Sequence, residues 1–556
     1  MKRLTTHCAQ TAITAGLGIA LALGNCPVSG YARGGQASIT VMQQNNADAT
    51  YQAFQVFAAD VSAKDEATHV TWPSADMRDI VLTFLKSEGY ENWLTTRGLT
   101  PVQAAKAQNA LEFVAQEIGS SRIGESPSTD LGLVGADSFA TRFSRYLVAH
   151  DAPCRLATAG APFSGEEGYW LFVTQTASIN GADEAATAPI WITLGGSAGE
   201  VREKSAIPKV TKLVKEDATA AWGTAADANR GQDVPYQLVG TLPSNFAAYS
   251  HYHYRFEDRL SDGLELALEA GAEPSSAVKV KVGDEVVDVD GTNLSITWID
   301  HKLCIDFADL ASAHWDDLHI DAHTTITVEY QAHLTENAII GSSGNENSVI
   351  VRYSNDPLGD GEGQTTPPPS PKLFTYALRL MKVDKQTEEH LSGAGFTIQV
   401  AEGNADVNSR GLYVQEDGSL STEPHEFVTG RDGTLSVEGI DEGIYVIAEK
   451  TAPTGYEQIN RDITVTLSST LGSSPASLDG LSVRVTGIEL SGASEADAPS
   501  SSSADPQSGV ATLTVTNDKS IVMPLTGLAG TRGGGIGALI AAASSALLWV
   551  RRRHAA

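Results

Sequence analysis

The sequence predicts a mainly β protein in which a mixed α+β amino-terminal domain precedes two β-sandwiches in tandem. Short runs of alternating apolar and polar residues, separated by turns rich in Gly, Asp, Asn and Ser, extend over 207–357 and resume over 373–519. Helical patterns are confined to the part before them, at 76–87 and 101–118. A length of 556 residues also suits about three or four domains better than one.

The amino-terminal end has the order of a secretory signal peptide. Two basic residues precede a short apolar run at 12–23, and small residues follow it. We expect a signal peptide over 1–37, cut after Ala37, because a strand-like run begins there; a cut after Ala32 is the alternative. The chain is therefore predicted to leave the cytoplasm.

Changes in composition and pattern divide the rest of the chain. Two strand-like runs, GYWLFVT and PIWITL, close the first domain, and a Pro/Gly-rich polar stretch separates the two sandwiches. The predicted units are an N-terminal domain over 38–199, a middle domain over 200–358, a linker over 359–372, a C-terminal domain over 373–520 and a terminal signal over 521–556.

The carboxyl-terminal end carries a short motif, an apolar run and a basic tail in that order. The motif is Met523, Pro524, Leu525, Thr526 and Gly527. The apolar run at 536–550 is just long enough for a membrane helix, and three arginines follow it. The order resembles the cell-wall sorting signal of Gram-positive surface proteins, LPxTG, with methionine in place of leucine. The resemblance implies that a sortase cleaves after the threonine and transfers its acyl group to an amine. A retained membrane helix is the alternative.

Charge and cysteine content exclude some classes of function. Lys plus Arg number 38 against 68 for Asp plus Glu, and the resulting charge of −30 repels nucleic acids. The four cysteines are too few and too widely spaced for a disulfide framework or a cysteine zinc site. The segment DVDGTN lacks the full set of carboxylates of a calcium loop, so we interpret it as a turn between strands and predict no metal site. No phosphate-binding loop or catalytic motif occurs in a supporting context, and we predict no cofactor.

Each predicted sandwich aims three polar side chains inward. Because successive residues of a strand face opposite sides, a residue that shares the parity of apolar neighbours enters the core. The residues so placed are Lys212, Asp258 and Asn347 in the middle domain, and Lys382, Glu449 and Asn517 in the C-terminal domain. Both domains thus combine a lysine, a carboxylic acid and an asparagine.

These residue types can form a lysine–asparagine isopeptide bond. Burial favours the neutral amine of lysine and the protonated form of a carboxylic acid. The amine can attack the asparagine carbonyl, while Asp258 or Glu449 shuttles the proton to the departing ammonia. A buried salt bridge, or a lysine that reaches the surface at the strand end, is the alternative.

Several separated segments carry a resemblance to a known family. The segments KVD, LSGAGFTI, YVIAEKTAPTGY and LTVTND resemble the CnaB-type domain of Gram-positive pilins. PKVTKLVKED, YHYRFEDRL and NSVIVRYSNDP are similar to the CnaA-like middle domain of isopeptide-forming fimbrial proteins. The resemblance implies Ig-like folds for both sandwiches, with Lys212–Asn347 and Lys382–Asn517 as the bonded pairs.

One feature of that family is altered in this chain. Backbone pilins carry an acceptor lysine in a motif resembling WxxxVxVYPK, whereas this chain has no YPK. Lys204 in VREK is the nearest equivalent; it could equally be an ordinary exposed charge.

The sequence as a whole favours a structural pilus shaft subunit rather than an enzyme. Its expected partners are a sortase, neighbouring pilin subunits and the peptidoglycan precursor, and its expected location is the cell wall and the pilus. No motif identifies a host surface ligand, which the loops of the first domain would bind. The alternative is a monomeric wall-anchored adhesin, or a minor pilin at the tip or base.

Overall fold

The structure, a computed structural model, describes residues 35–42, 48–120, 135–197, 199–203, 205–486 and 502–519. Within these ranges strands dominate, which confirms the predicted mainly β class. The α-helices of the described chain all lie in its first part, and the middle part has three short 3-10 helices at Phe246–Ala248, Pro274–Ser276 and Ala313–Leu318.

The N-terminal part combines two sheets with helices. Its strands are β1 Gln36–Met42, β2 Thr50–Val61, β3 Ala67–Thr71, β4 Arg155–Thr158, β5 Pro162–Glu166, β6 Gly168–Thr174, β7 Ile190–Leu194 and β8 Glu200–Arg202. Its helices are α1 Ala75–Ser87, α2 Tyr90–Thr96, α3 Pro101–Ala104, α4 Ala107–Ser120 and α5 Phe139–Ala149. The sheets run in the orders β5-β1-β8 and β3-β2-β6-β7, with β4 also paired to β2.

Local capping and side-chain packing explain the helical layer. The Ser74 hydroxyl accepts a hydrogen bond from the backbone N–H of Met77 and so begins α1. The helices bury apolar side chains such as Phe84 and Phe143 against Phe57 and its neighbours on the larger sheet. The helix predicted over 101–118 is interrupted between α3 and α4, and α5 was not predicted.

Strand β1 begins before the preferred signal-peptide cut. Gln36 pairs with Glu166 of β5, and Ala37 pairs with Gly165. A cut after Ala37 would remove the first two residues of this strand, whereas a cut after Ala32 would leave the strand whole.

The middle part is a sandwich of two sheets. Its strands are β9 Val210–Lys215, β10 Trp222–Gly223, β11 Ala225–Asp227, β12 Val234–Thr241, β13 Tyr254–Leu260, β14 Leu264–Leu266, β15 Val278–Val282, β16 Glu285–Val286, β17 Leu294–Ile299, β18 Lys302–Phe307, β19 Thr325–Leu334, β20 Asn345–Ser354, β21 Glu362–Gln364 and β22 Lys372–Phe374. One sheet has the order β10-β9-β12-β19-β15-β16, with β14 on β19; the other has the order β11-β22-β20-β13-β18-β17, with β21 on β20. One apolar core lies between them.

The C-terminal part is a second, smaller sandwich. Its strands are β23 Tyr376–Asp384, β24 Gly395–Val400, β25 Tyr413–Val414, β26 Leu420–Ser421, β27 Phe427–Val428, β28 Thr434–Ile440, β29 Gly443–Thr451, β30 Ile463–Ser473, β31 Ala476–Thr486, β32 Ser502–Asp505 and β33 Val510–Asn517. Its sheets are β28-β23-β33-β32 and β26-β25-β24-β29-β30-β31, with β27 on β24. A separate apolar core fills this sandwich.

The stretch that composition predicts as a linker, 359–372, packs against the middle sandwich. It contains β21, which pairs with β20, and it runs into β22, which lies between β11 and β20. Thr365 is buried, and its hydroxyl accepts a hydrogen bond from the backbone N–H of Val351. Backbone hydrogen bonds hold this polar, proline-rich stretch against the sandwich, and such bonds cannot be predicted from amino-acid composition.

Among the described residues, no helix is long and apolar enough to cross a membrane. The membrane span predicted at 536–550 lies outside those residues.

Candidate functional site

The middle-domain trio meets between the two sheets of the sandwich. Lys212 lies on β9 of one sheet, whereas Asp258 and Asn347 lie on β13 and β20, neighbouring strands of the other sheet. The Lys212 Nζ donates hydrogen bonds to Oδ1 of Asp258 and to Oδ1 of Asn347. All three side chains are buried. The structure therefore brings the predicted trio into one contact that solvent does not reach.

Two tyrosines that the sequence analysis did not single out surround this lysine. The rings of Tyr236 and Tyr330 stack with centroids 5.5 Å apart. The Lys212 Nζ lies 5.6 Å from the first ring and 5.8 Å from the second. The Tyr330 hydroxyl also donates to Asp258 Oδ2 at 2.7 Å and accepts from Asn347 Nδ2 at 2.8 Å. The one sequence signal for Tyr330 is its inward parity in β19, which any core tyrosine would share.

The C-terminal trio is assembled from different strands. Lys382 and Asn517 lie on β23 and β33, which are adjacent and parallel in one sheet, and Glu449 reaches them from β29 in the opposite sheet. The Lys382 Nζ donates to Asn517 Oδ1 and lies 3.3 Å from Glu449 Oε1. Asn517 Nδ2 donates to Glu449 Oε1 at 3.1 Å and to the Glu457 carbonyl at 2.9 Å. These three side chains are buried as well.

Burial shifts the lysines toward their reactive form. It lowers the pKa of Lys212 to about 8, although the charge of Asp258 opposes the shift. It likewise lowers the pKa of Lys382 to about 8, against the influence of Glu449. Burial raises the pKa of Asp258 above its ordinary value, although Lys212 and Tyr330 both counteract this. Near neutral pH each lysine can therefore supply a neutral amine far more readily than an exposed lysine.

The geometry suits acyl transfer between side chains. In each sandwich a lysine nitrogen contacts the carbonyl group of an asparagine, and a carboxyl group contacts that same nitrogen. Nucleophile, electrophile and proton carrier are thus held in direct contact in a buried site, which removes most of the entropic cost of bringing them together.

The other predicted site residues cannot be compared with the structure. Lys204, the proposed acceptor, and the motif Met523, Pro524, Leu525, Thr526 and Gly527 lie outside the described residues. Where the chain is described, no group of His, Cys, Asp and Glu side chains has the arrangement of a metal site. Cys154 and Cys304 are free thiols.

Sequence comparisons find similarity to one domain family and to a streptococcal surface protein. Residues 377–474 match the family model of the SpaA prealbumin-like fold domain. The trypsin-resistant surface T6 protein of Streptococcus pyogenes serotype M6 is 24% identical over 272 residues, which cover 46% of this chain. The match covers 44% of that protein's length, so this chain spans less than half of its curated relative.

Solved structures with similar folds include several pilins. The T6 backbone pilin of S. pyogenes covers 87% of this chain and 98% of its own, at 14% identity and a TM-score of 0.49. The major pilin SpaD of Corynebacterium diphtheriae covers 89% of this chain and 99% of its own, at 14% identity and a TM-score of 0.44. In sequence, the chain is therefore similar to a streptococcal surface protein and, over 377–474, to the SpaA prealbumin-like domain.

Proposed function

We propose that this chain is a structural subunit of a pilus shaft, exported, polymerised by a sortase and anchored to the peptidoglycan of a Gram-positive cell wall. The observation that carries the proposal is the pair of buried lysine–acid–asparagine trios, one in each of two consecutive sandwiches. The similarity to a surface protein and to the SpaA domain supports it.

Each trio forms one isopeptide bond in this proposal. The neutral lysine amine attacks Cγ of Asn347 or Asn517, and the nitrogen–carbon bond that forms replaces the Cγ–Nδ2 bond. One proton leaves the attacking nitrogen, one reaches the departing nitrogen, and ammonia is released. Asp258 and Glu449 carry these protons, and each is a carboxyl group again at the end. The reaction occurs once per domain and uses no cofactor.

The bonds stabilise the shaft under load and against proteolysis. Each bond joins residues 135 positions apart in the chain. By the chain-entropy reasoning that applies to disulfides, closing a loop of this length destabilises the unfolded state by about 5 kcal/mol. A subunit that transmits tension along a filament benefits from such a constraint.

Polymerisation would use the carboxyl end of the mature chain and a lysine between its first two domains. A sortase would cleave between Thr526 and Gly527 and transfer the threonine carbonyl to an amine of the next subunit. Lys204, which precedes the middle sandwich, is the proposed acceptor amine.

Intact-mass measurement of the full chain tests the internal bonds. We expect the folded protein to weigh less than its sequence by two ammonia molecules. In the Asn347→Ala variant and in the Asn517→Ala variant, only one bond can form, so each should be lighter than its own sequence by a single ammonia. Asn345→Ala is the matched control for Asn347→Ala, because Asn345 lies on the same strand. Within the described part of the chain, its side chain hydrogen-bonds only to the backbone of Ile339 and Leu373. A folded protein of unshifted mass would contradict the proposal for both domains.

Covalent ladders in cell-wall extracts test the shaft role. Thr526→Ala should abolish both ladders and wall attachment, whereas Lys204→Ala should abolish ladders and leave the monomer attached to the wall. Lys209→Ala provides a nearby exposed control lysine. If the unmutated protein forms no ladders, the monomeric adhesin is the better description; if Lys204→Ala leaves them intact, another amine is the acceptor.

A further inference from the structure

The middle-domain acid has no direct route to the nitrogen that must leave. Asp258 uses Oδ1 to contact the Lys212 amine and Oδ2 to accept from the Tyr330 hydroxyl. Asn347 Nδ2, the leaving nitrogen, donates to that same hydroxyl at 2.8 Å. Tyr330 thus bridges the proton carrier and the leaving group, and it is buried with them.

The C-terminal site provides a natural comparison. There Asn517 Nδ2 lies 3.1 and 3.3 Å from the two carboxylate oxygens of Glu449, so the acid touches the leaving nitrogen itself. In the part of the chain that the structure describes, the remaining hydrogen bonds of the Asn517 side chain are to Lys382 and the Glu457 carbonyl. No hydroxyl group intervenes among these contacts.

We propose that Tyr330 is a further catalytic residue of the middle domain, which passes a proton from Asp258 to the departing nitrogen of Asn347. This inference rests on the proposed isopeptide chemistry and assigns the proton path within it.

The proton transfers balance. The Lys212 Nζ attacks Cγ of Asn347 and gives one proton to Asp258 Oδ1. In its neutral, protonated form Asp258 carries a proton on Oδ2, and the hydrogen bond between Oδ2 and Tyr330 then runs from the acid to the hydroxyl. Oδ2 gives this proton to the Tyr330 oxygen, and Tyr330 gives its own proton to Asn347 Nδ2. The Cγ–Nδ2 bond then breaks, and the nitrogen leaves as ammonia. Asp258 and Tyr330 end in the protonation states in which they began.

A hydroxyl is suited to this step because it both donates and accepts. In the starting amide the Nδ2 lone pair is delocalised, so Nδ2 donates its hydrogen to Tyr330. After the attack Nδ2 becomes tetrahedral and basic, and the same hydroxyl can rotate and donate to it. Burial, together with the charge of Asp258, raises the pKa of Tyr330 well above its ordinary value, which keeps the phenol protonated.

The test is a time course of bond formation in the full chain. Protein made by cell-free synthesis is denatured at intervals and digested, and the two cross-linked peptides are quantified by mass spectrometry. We expect Tyr330→Phe to slow the Lys212–Asn347 bond on the order of 10²-fold. The Lys382–Asn517 bond in the same molecules should form at the wild-type rate.

Tyr236→Phe is the matched control. Tyr236 stacks on Tyr330 beside the same lysine, and its hydroxyl lies near Asn347. Among the described residues this hydroxyl makes no hydrogen bond of ordinary geometry, and the Asn347 Nδ2 donates to Tyr330 instead. Removing this hydroxyl should leave both bonds near their wild-type rates. Equal slowing by both variants would overturn the assignment, because it would indicate a packing effect.

A second variant covers the case in which Tyr330→Phe disturbs folding. Replacing Tyr330 with 3,5-difluorotyrosine keeps the ring and the hydroxyl but makes the phenol more acidic. If the hydroxyl carries the proton, the rate and its pH profile should both shift; an unchanged profile would overturn the inference.

Two results separate this inference from the proposed function. Absence of the Lys212–Asn347 bond in the wild-type chain would refute the proposed chemistry of the middle domain. A wild-type bond together with an unimpaired Tyr330→Phe variant would refute only the role of the tyrosine.

Discussion

At the scale of single residues, the chemistry that we propose depends on the two buried lysines. Each sits where an ammonium group is poorly solvated, and each has its pKa lowered to about 8 by that burial. A bond to asparagine would convert such an amine into a neutral amide. A protein without these two bonds would instead keep two buried lysines whose pKa values are lowered.

This difference predicts a pH dependence of stability. The variant Asn347→Ala/Asn517→Ala keeps both lysines free. Between pH 8 and about 10 the unfolded lysines hold protons that the folded ones have lost, so the free energy of unfolding should increase with pH. The gain should approach about 3 kcal/mol per lysine, measured by denaturant unfolding at several pH values.

The control for this prediction removes the titrating groups. The double variant Lys212→Met/Lys382→Met also has no isopeptide bonds, but it has no buried amine either. Its free energy of unfolding should therefore not show the increase between pH 8 and about 10 that the lysines cause. Identical slopes in the two double variants would show that the lysines do not titrate as expected.

At the scale of strands, the two trios contain the same kinds of residue but place the lysine and the asparagine on differently related strands. The middle-domain pair joins β9 of one sheet to β20 of the other, whereas the C-terminal pair joins adjacent parallel strands of one sheet. In both cases the lysine lies at the start of its domain and the asparagine 135 positions later. With the proposed bonds formed, tension that enters at the lysine strand would leave at the asparagine strand without unfolding the chain between them.

Force spectroscopy can check this load path. We expect both sandwiches of the wild-type chain to withstand stretching without releasing the residues between the bonded positions. Asn517→Ala should add one extension of about 450 Å, the contour length of a loop of this size. Asn347→Ala should add a separate extension of similar length. Complete extension of the wild-type chain would show that the bonds are absent or outside the load path.

At the scale of the whole molecule, acidic side chains meet between the middle and C-terminal sandwiches. The cluster consists of Glu216, Asp217 and Asp227 from the first and Asp441 and Glu442 from the second. Tyr376 donates to Asp227 at 2.6 Å across this junction, and the Asp441 N–H donates to Asn229 at 3.2 Å. The sequence analysis did not anticipate this contact.

The junction should be sensitive to pH. Burial and the charge of Glu442 raise the pKa of Asp227 to about 7, and burial beside Asp227 raises that of Asp441 well above its ordinary value. A raised carboxyl pKa stabilises the docked state below about pH 4 and loses that contribution as pH rises through about 7.

Small-angle scattering at pH 5 and pH 8 measures this effect. We expect a larger maximum dimension at pH 8, and Asp227→Asn should reduce the difference. Asp262→Asn, which changes an exposed acid of the same sandwich, should leave it unchanged. Equal dimensions at both pH values in the unmutated protein would contradict the prediction.

The sequence by itself determined which side chains face inward, because a strand alternates its faces with a fixed period that needs no knowledge of neighbours. The mainly β class and the choice of Lys212, Asp258 and Asn347 follow from that period. Strand pairing depends on contacts between residues far apart in the chain. Only the tertiary structure therefore decided which sheet carries each lysine and that β21 packs on β20. It also decided that Tyr330 stands between an acid and an amide in one sandwich while Glu449 reaches the amide directly in the other.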